Sequence, residues 1–167
     1  AGAPVAGAGG SSPTCAVHVF DPELWRLLSD RWFTDASRDP VRLEFFAPSA
    51  SGLALPGADG ETAEYARQIL AEVASLSDKI TLTVHGTLTE PEAAQHYGIA
   101  RTPATAIVGA EDYGIRFYGM PAGYEFATLL EVIIHVSRGT TPISQDSRDV
   151  LSRLKADAHI QVFVTPT

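Results

Sequence analysis

The chain holds a single cysteine, Cys15, and that sets the first bound on its chemistry. Dithiol exchange needs an attacking thiolate and a resolving thiol within reach of each other, so this chain alone can neither close an internal disulfide nor run that cycle. A cysteine-based metal cluster is excluded on the same ground. Cys15 is a candidate reactive thiol, but nothing near it in sequence would clearly lower its pKa, and a buried or incidental cysteine is the better fit. The five histidines, His18, His85, His96, His135 and His159, lack the i, i+4 spacing that sets two imidazoles on one helix face for a metal. His85 has no acid or nucleophile beside it in sequence and reads as an exposed residue or one at the edge of a site. The sequence therefore assigns no catalytic residue, no metal and no cofactor.

Whatever chemistry remains must be positioned by the stretch Ala100–Phe126. Thr102-Pro103 opens an apolar run, Ala104–Val108, and Gly109–Asp112 supplies turn residues before Gly114–Tyr118 runs back, which is a β-hairpin signal. Gly119-Met120-Pro121 ends the second strand, with Pro121 suited to a helix start because it needs no amide donor there. Phe126, Leu129, Leu130, Ile133 and Val136 then follow i, i+3, i+4, i+7 spacing, so one face of a long helix must be buried. Arg138 and Gly139 suit its C-terminal end.

The sequence from Tyr113 through Arg116-Phe117-Tyr118-Gly119-Met120-Pro121 to Tyr124-Glu125-Phe126 resembles the first unit of the tandem glutaredoxin-like protein disulfide oxidoreductases. More distantly it resembles the N-terminal domain of the flavoprotein subunit of alkyl hydroperoxide reductase. The likeness extends over Leu70–Gly139 and includes Glu72–Ile80. It implies an α/β fold of the thioredoxin/glutaredoxin type: a central four-stranded mixed sheet flanked by helices, here with an extra N-terminal helix and a C-terminal helix–strand extension. A redox-active member would start the helix after its first strand with Cys-x-x-Cys, where the dipole and unpaired amides favour a thiolate. Counting back from Glu72–Leu76, that place is held by Gly60, Glu61, Thr62 and Ala63, a degenerate active-site position with neither cysteine. Pro103 stands where the family carries a cis-proline, so the resemblance implies a peptide-binding groove at Thr102 and Pro103 that would bind without reacting. Phe117, Tyr118 and Glu125 draw attention here as well, but the motif transfers no role to them.

Along the chain, residues 1–14 are small residues, Gly and Pro for the most part, and read as a flexible tail or linker. Asp21-Pro22-Glu23 starts a helix to about Phe33, with Leu24, Leu27, Leu28 and Trp32 as its apolar stripe. Val41–Phe46 is a period-two strand, and 47–59 an extended loop that resembles an insertion. Glu61–Ser77 is expected as a helix with Tyr65, Ile69, Leu70, Val73 and Leu76 inward, followed by strand Lys79–His85 and a short helix from Thr89 to about Tyr97 closed by Gly98. Ser144–Lys155 reads as a further helix and Ala158–Val164 as a strand. The expected division is thus a thioredoxin-like domain lacking Cys-x-x-Cys over 15–139, then a linker helix and the first strand of an incomplete second unit over 140–167.

With 45% hydrophobic residues the chain can bury a real core, while 12 basic against 20 acidic residues give a net charge of −8 and argue against nucleic-acid binding. No apolar run approaches the length of a membrane span and no secretory signal is visible, so a cytoplasmic protein without membrane contact is expected. Two functions are open. One is a redox-inactive unit of a disulfide oxidoreductase-type protein, exchanging thiols only if a second unit supplies Cys-x-x-Cys. The other is a non-catalytic interaction module that binds a protein or peptide partner or associates with itself.

Overall fold

The computed structural model describes residues 39–48 and 58–164. The expected N-terminal tail, Cys15, the Asp21–Phe33 helix and most of the 47–59 loop lie outside these residues. Eight elements follow in order: β1 (Val41–Ala47), α1 (Ala58–Ser75), β2 (Ile80–Gly86), α2 (Pro91–His96), β3 (Ala104–Val108), β4 (Ile115–Tyr118), α3 (Tyr124–Arg138) and α4 (Gln145–Leu151). They form a four-stranded mixed sheet in the order β2-β1-β3-β4. β1 and β2 run parallel, with Val41 opposite Ile80 and Phe46 opposite His85. β1–β3 and β3–β4 are antiparallel, with Phe46 opposite Ala104 and Ala104 opposite Tyr118.

The period-two side-chain pattern of β1 divides its residues between two layers. Val41, Leu43 and Phe45 face α1 and α3, where they join Ala63, Ala66, Leu70, Val73, Ile107, Leu129, Leu130, Ile133 and Val136 in the main core. Phe46 faces the other way, into a smaller cluster with Ala94, Ala104, Ala106 and Val108. Alternate small residues on β3 leave room on that face for Ala94 of the short helix α2. The longer helix α3 closes the main core and ends at Gly139, which takes φ +61° where a side chain would be strained. Its last turn is fastened to the start of β1, since Ser137 Oγ donates to Asp39 O at 2.7 Å and accepts from Asp39 N at 3.1 Å. At Gly109 an added Cβ would meet Val136 Cγ1 at 2.8 Å, so glycine is needed there for the close approach of hairpin and helix.

Three expectations change. α1 begins before Glu61, at Ala58, and its inward face uses Ala63 and Ala66 while Tyr65 remains 46% exposed; small side chains take the tight contact and the large ring is left at the stripe's edge. The last helix is shorter than Ser144–Lys155. Residues 158–164 form no strand, and Ile160, Val162, Phe163 and Val164 are exposed. A strand exists only with a hydrogen-bonded neighbour, and among the described residues nothing pairs with this one.

Leu129 is fully buried in the main core, so Leu129→Ala should lower unfolding stability by about 2–5 kcal/mol in urea titration, against about 0.5 kcal/mol or less for the exposed Val150→Ala. Thr105 is 1% exposed and, among the described residues, its hydroxyl has no hydrogen-bond partner. Replacing it with the near-isosteric valine removes an unsatisfied polar atom, so Thr105→Val should raise stability by about 1 kcal/mol in the same assay.

Candidate functional site

Topology brings the residues singled out from sequence to one end of the sheet. β2 starts opposite the start of β1, so α1, which joins them, must enter at the C-terminal end of β1 and leave at its beginning. Gly60, Glu61, Thr62 and Ala63 therefore lie in the opening turns of α1 at that C-terminal end. Glu61 is exposed, Gly60 and Thr62 are half-buried, and Ala63 is buried. β3 runs antiparallel to β1 and starts opposite Phe46, which sets Thr102 and Pro103 at the same end. Thr102 is half-buried, Pro103 is buried and the peptide bond between them is cis. Pro103 O accepts from Gly119 N at 2.8 Å, fixing the turn after β4 beside it.

Several further side chains stand around this end. Tyr118 is half-buried with the Arg101 guanidinium 4.8 Å above its ring. Met120 and Tyr124 are 37% and 83% exposed, and Glu125 lies exposed in the first turn of α3. Phe117 instead packs against the main core. Among the described residues at this end there is no cysteine. The N-terminal turn of α1 offers amide donors and a partial positive charge, which can hold a group. Among the described residues no group of three or more His, Cys, Asp or Glu could hold a metal ion.

Two polar clusters lie beyond the region expected from sequence. Arg116 on β4 reaches Asp112 with Nη1 and Nη2 at 2.8 and 2.6 Å and donates from Nε to Tyr97 O at 2.8 Å, tying the hairpin turn to the end of α2. The Arg116 hydrogen bonds hold the Asp112 carboxyl at about 2, helped by the Gly114 amide and opposed by burial. His85, read from sequence as exposed or at the edge of a site, is half-buried and joins Glu44 on β1 to Glu90 before α2. The signal for it was an acid inside an apolar strand, Glu44 in Val41–Ala47, which a buried position must pair.

No protein-family model matches the chain. It is 29% identical over 126 residues to the alkyl hydroperoxide reductase AhpF of Staphylococcus epidermidis, a match covering 75% of this chain and 22% of that protein. Its structure superposes on the NTD_N/C domain of the same reductase from Enterococcus faecalis with a TM-score of 0.65 and 26% identity, over 80% of this chain and 60% of the other. A protein disulfide oxidoreductase from Aeropyrum pernix gives a TM-score of 0.64 at 21% identity, over 83% and 57%. The chain is a thioredoxin-like unit, similar to theirs. These are the relatives that the sequence resemblance names, and the chain spans about a fifth of the full-length one.

The Asp112–Arg116 pair makes a pH-dependent contribution whose sign follows from the lowered carboxyl. It is present in full above the ordinary value of 3.8 and lost as pH falls through about 2. Because the Asp112 side chain is 32% exposed, the contribution is screened and should not exceed about 1 kcal/mol. Asp112→Asn should therefore be less stable than the parent at neutral pH, and the gap should close as both are titrated in urea down to about pH 2.

Proposed function

We propose that this chain is a redox-inactive thioredoxin-like unit of a disulfide oxidoreductase-type protein, which supports and docks a second unit carrying the Cys-x-x-Cys. The observation behind this reading is the opening of α1, where Gly60 and Ala63 occupy the i, i+3 positions that a dithiol needs on one helix turn. In that cycle a thiolate attacks a disulfide sulfur, a mixed disulfide forms and a thiolate leaves, and the resolving thiolate then attacks the mixed disulfide to expel the second sulfur. Neither attacking nor resolving group is present at these positions. Binding can outlast that loss: the end of the sheet at Thr102 and Pro103, with Tyr118, Met120 and Tyr124 around it, suits an extended peptide or the surface of a partner unit.

Residues 140–164 favour the same reading. Every one of them is exposed, and the apolar side chains among them include Ile143, Val150, Leu151, Leu154, Ile160, Val162, Phe163 and Val164. An apolar extension of this kind is suited to be covered by another folded unit. In a second reading the chain is a non-catalytic interaction module, and the same extension supports self-association. A cytoplasmic setting accompanies both. Among the described residues no helix is long and apolar enough to cross a membrane.

The two readings part on the natural gene product. After full reduction, unfolding and alkylation, the first expects a mass clearly above 17.8 kDa and adducts beyond the one from Cys15. The chain by itself should not accelerate dithiothreitol-driven reduction of insulin. A product near 17.8 kDa with one adduct would overturn the first reading and leave the interaction module.

A further inference from the structure

His85 lies between two carboxylates drawn from different parts of the fold. Its Nε2 is 2.9 Å from Glu44 Oε2 on β1, and its Nδ1 is 2.8 Å from Glu90 Oε2, on the residue at the N-cap of α2. Ionised carboxylates only accept hydrogen bonds, and a neutral imidazole carries one N–H, so it can satisfy one of them while its other nitrogen points a lone pair at the second. The doubly protonated ring donates to both. The geometry therefore selects the imidazolium. Phe46 stacks on the ring at 4.8 Å, with Tyr97 on the same aromatic cluster, and the β3 residues of that face, Ala104 and Ala106, carry no charge. Arg42 Nε stands 3.6 Å from the other oxygen of Glu44, on a half-exposed side chain. Among the described residues Glu44, Glu90 and, through Glu44, Arg42 are the charged groups set against His85.

We infer that protonated His85 is a pH-operated latch that clamps the N-terminal end of α2 to the sheet, and that deprotonation releases α2 on the Glu90 side. Release falls there because the Glu90 side chain is 48% exposed and water can solvate it, whereas that of Glu44 is 8% exposed and must keep its partner. Arg116 holds the far end of α2 through Tyr97 O, but its N-terminal end has less to hold it. It has no side-chain cap hydrogen bond, and Ala94 is its one buried residue. A helix this short has no stability of its own. Through Gly98 it leads into Thr102, Pro103 and β3, so the approach to that turn loosens with it.

The direction of the switch is fixed by its partners. Burial opposes the imidazolium, but the hydrogen bonds and charges of Glu90 and Glu44 outweigh it and raise the His85 pKa above the ordinary 6.5. A raised folded-state pKa stabilises the fold in full below the unfolded value, and that contribution is lost as pH rises through the folded one. The latch is thus closed in mild acid and opens on the alkaline side.

The test is a histidine ring titration by NMR on the full chain, with amide hydrogen exchange over residues 87–99 followed through the same pH range and corrected for intrinsic rates. His85 should titrate above 6.5 with both ring nitrogens protonated below its midpoint. Protection of 87–99 should fall at least about fivefold through that midpoint, while amides of β1 and β3 hold. Glu90→Gln, at an exposed position, should lower the midpoint and shrink the step, because an amide can turn either its donor or its acceptor to a neutral ring. Titration at or below 6.5, protection that does not change through the titration, or an unmoved midpoint in Glu90→Gln would each overturn the latch.

Discussion

Strand β1 is hydrogen-bonded along both edges and buried on both faces, and the rest of the molecule answers to that constraint. A strand covered on both sides has to present apolar residues to two layers at once, and Val41-Arg42-Leu43-Glu44-Phe45-Phe46-Ala47 does so with Arg42 alone exposed. Phe45 and Phe46 are fully buried in opposite directions, each worth roughly 1.5–3 kcal/mol of apolar transfer. They commit α1 and α3 to one face and α2 to the other. The one charge left inside the strand's buried span is Glu44. Carrying a carboxylate out of water costs several kcal/mol unless it is paired, which explains why the neighbouring strand places His85 against it.

The elements that sequence specified well are those defined by local period or punctuation. The β3–β4 hairpin follows from an apolar run, a Gly-containing turn and a returning run, while α3 follows from its i, i+3, i+4, i+7 stripe and Gly139. Both are decided within a few residues of themselves. Tyr65 departs from expectation because the stripe on α1 permits either a large ring or the small Ala63 and Ala66 at its tight point, and packing against the sheet decides between them. The strand expected at 158–164 has the right residues, but propensity describes a fit to a neighbour and this segment has none among the described residues. Glu44 and His85 are separated by 41 positions. Their meeting depends on the parallel register of β1 with β2, which no local pattern encodes.

For the candidate site, sequence named residues to look for but not the topology that gathers them. Pro103 and Gly60–Ala63 could be located by resemblance, yet what brings them to one end is the crossover itself: a helix that must return the chain to the start of β2 enters where β1 ends and β3 begins. Burial falls on Ala63 and Ala66 within a helix whose main anchors are Ile69, Leu70 and Val73, further along. Of the two positions that a dithiol would use, Gly60 is half-buried and outside the core, while Ala63 is buried within it. The opening turn thus already takes part in packing, and a change at Ala63 has to be answered by the core residues around it.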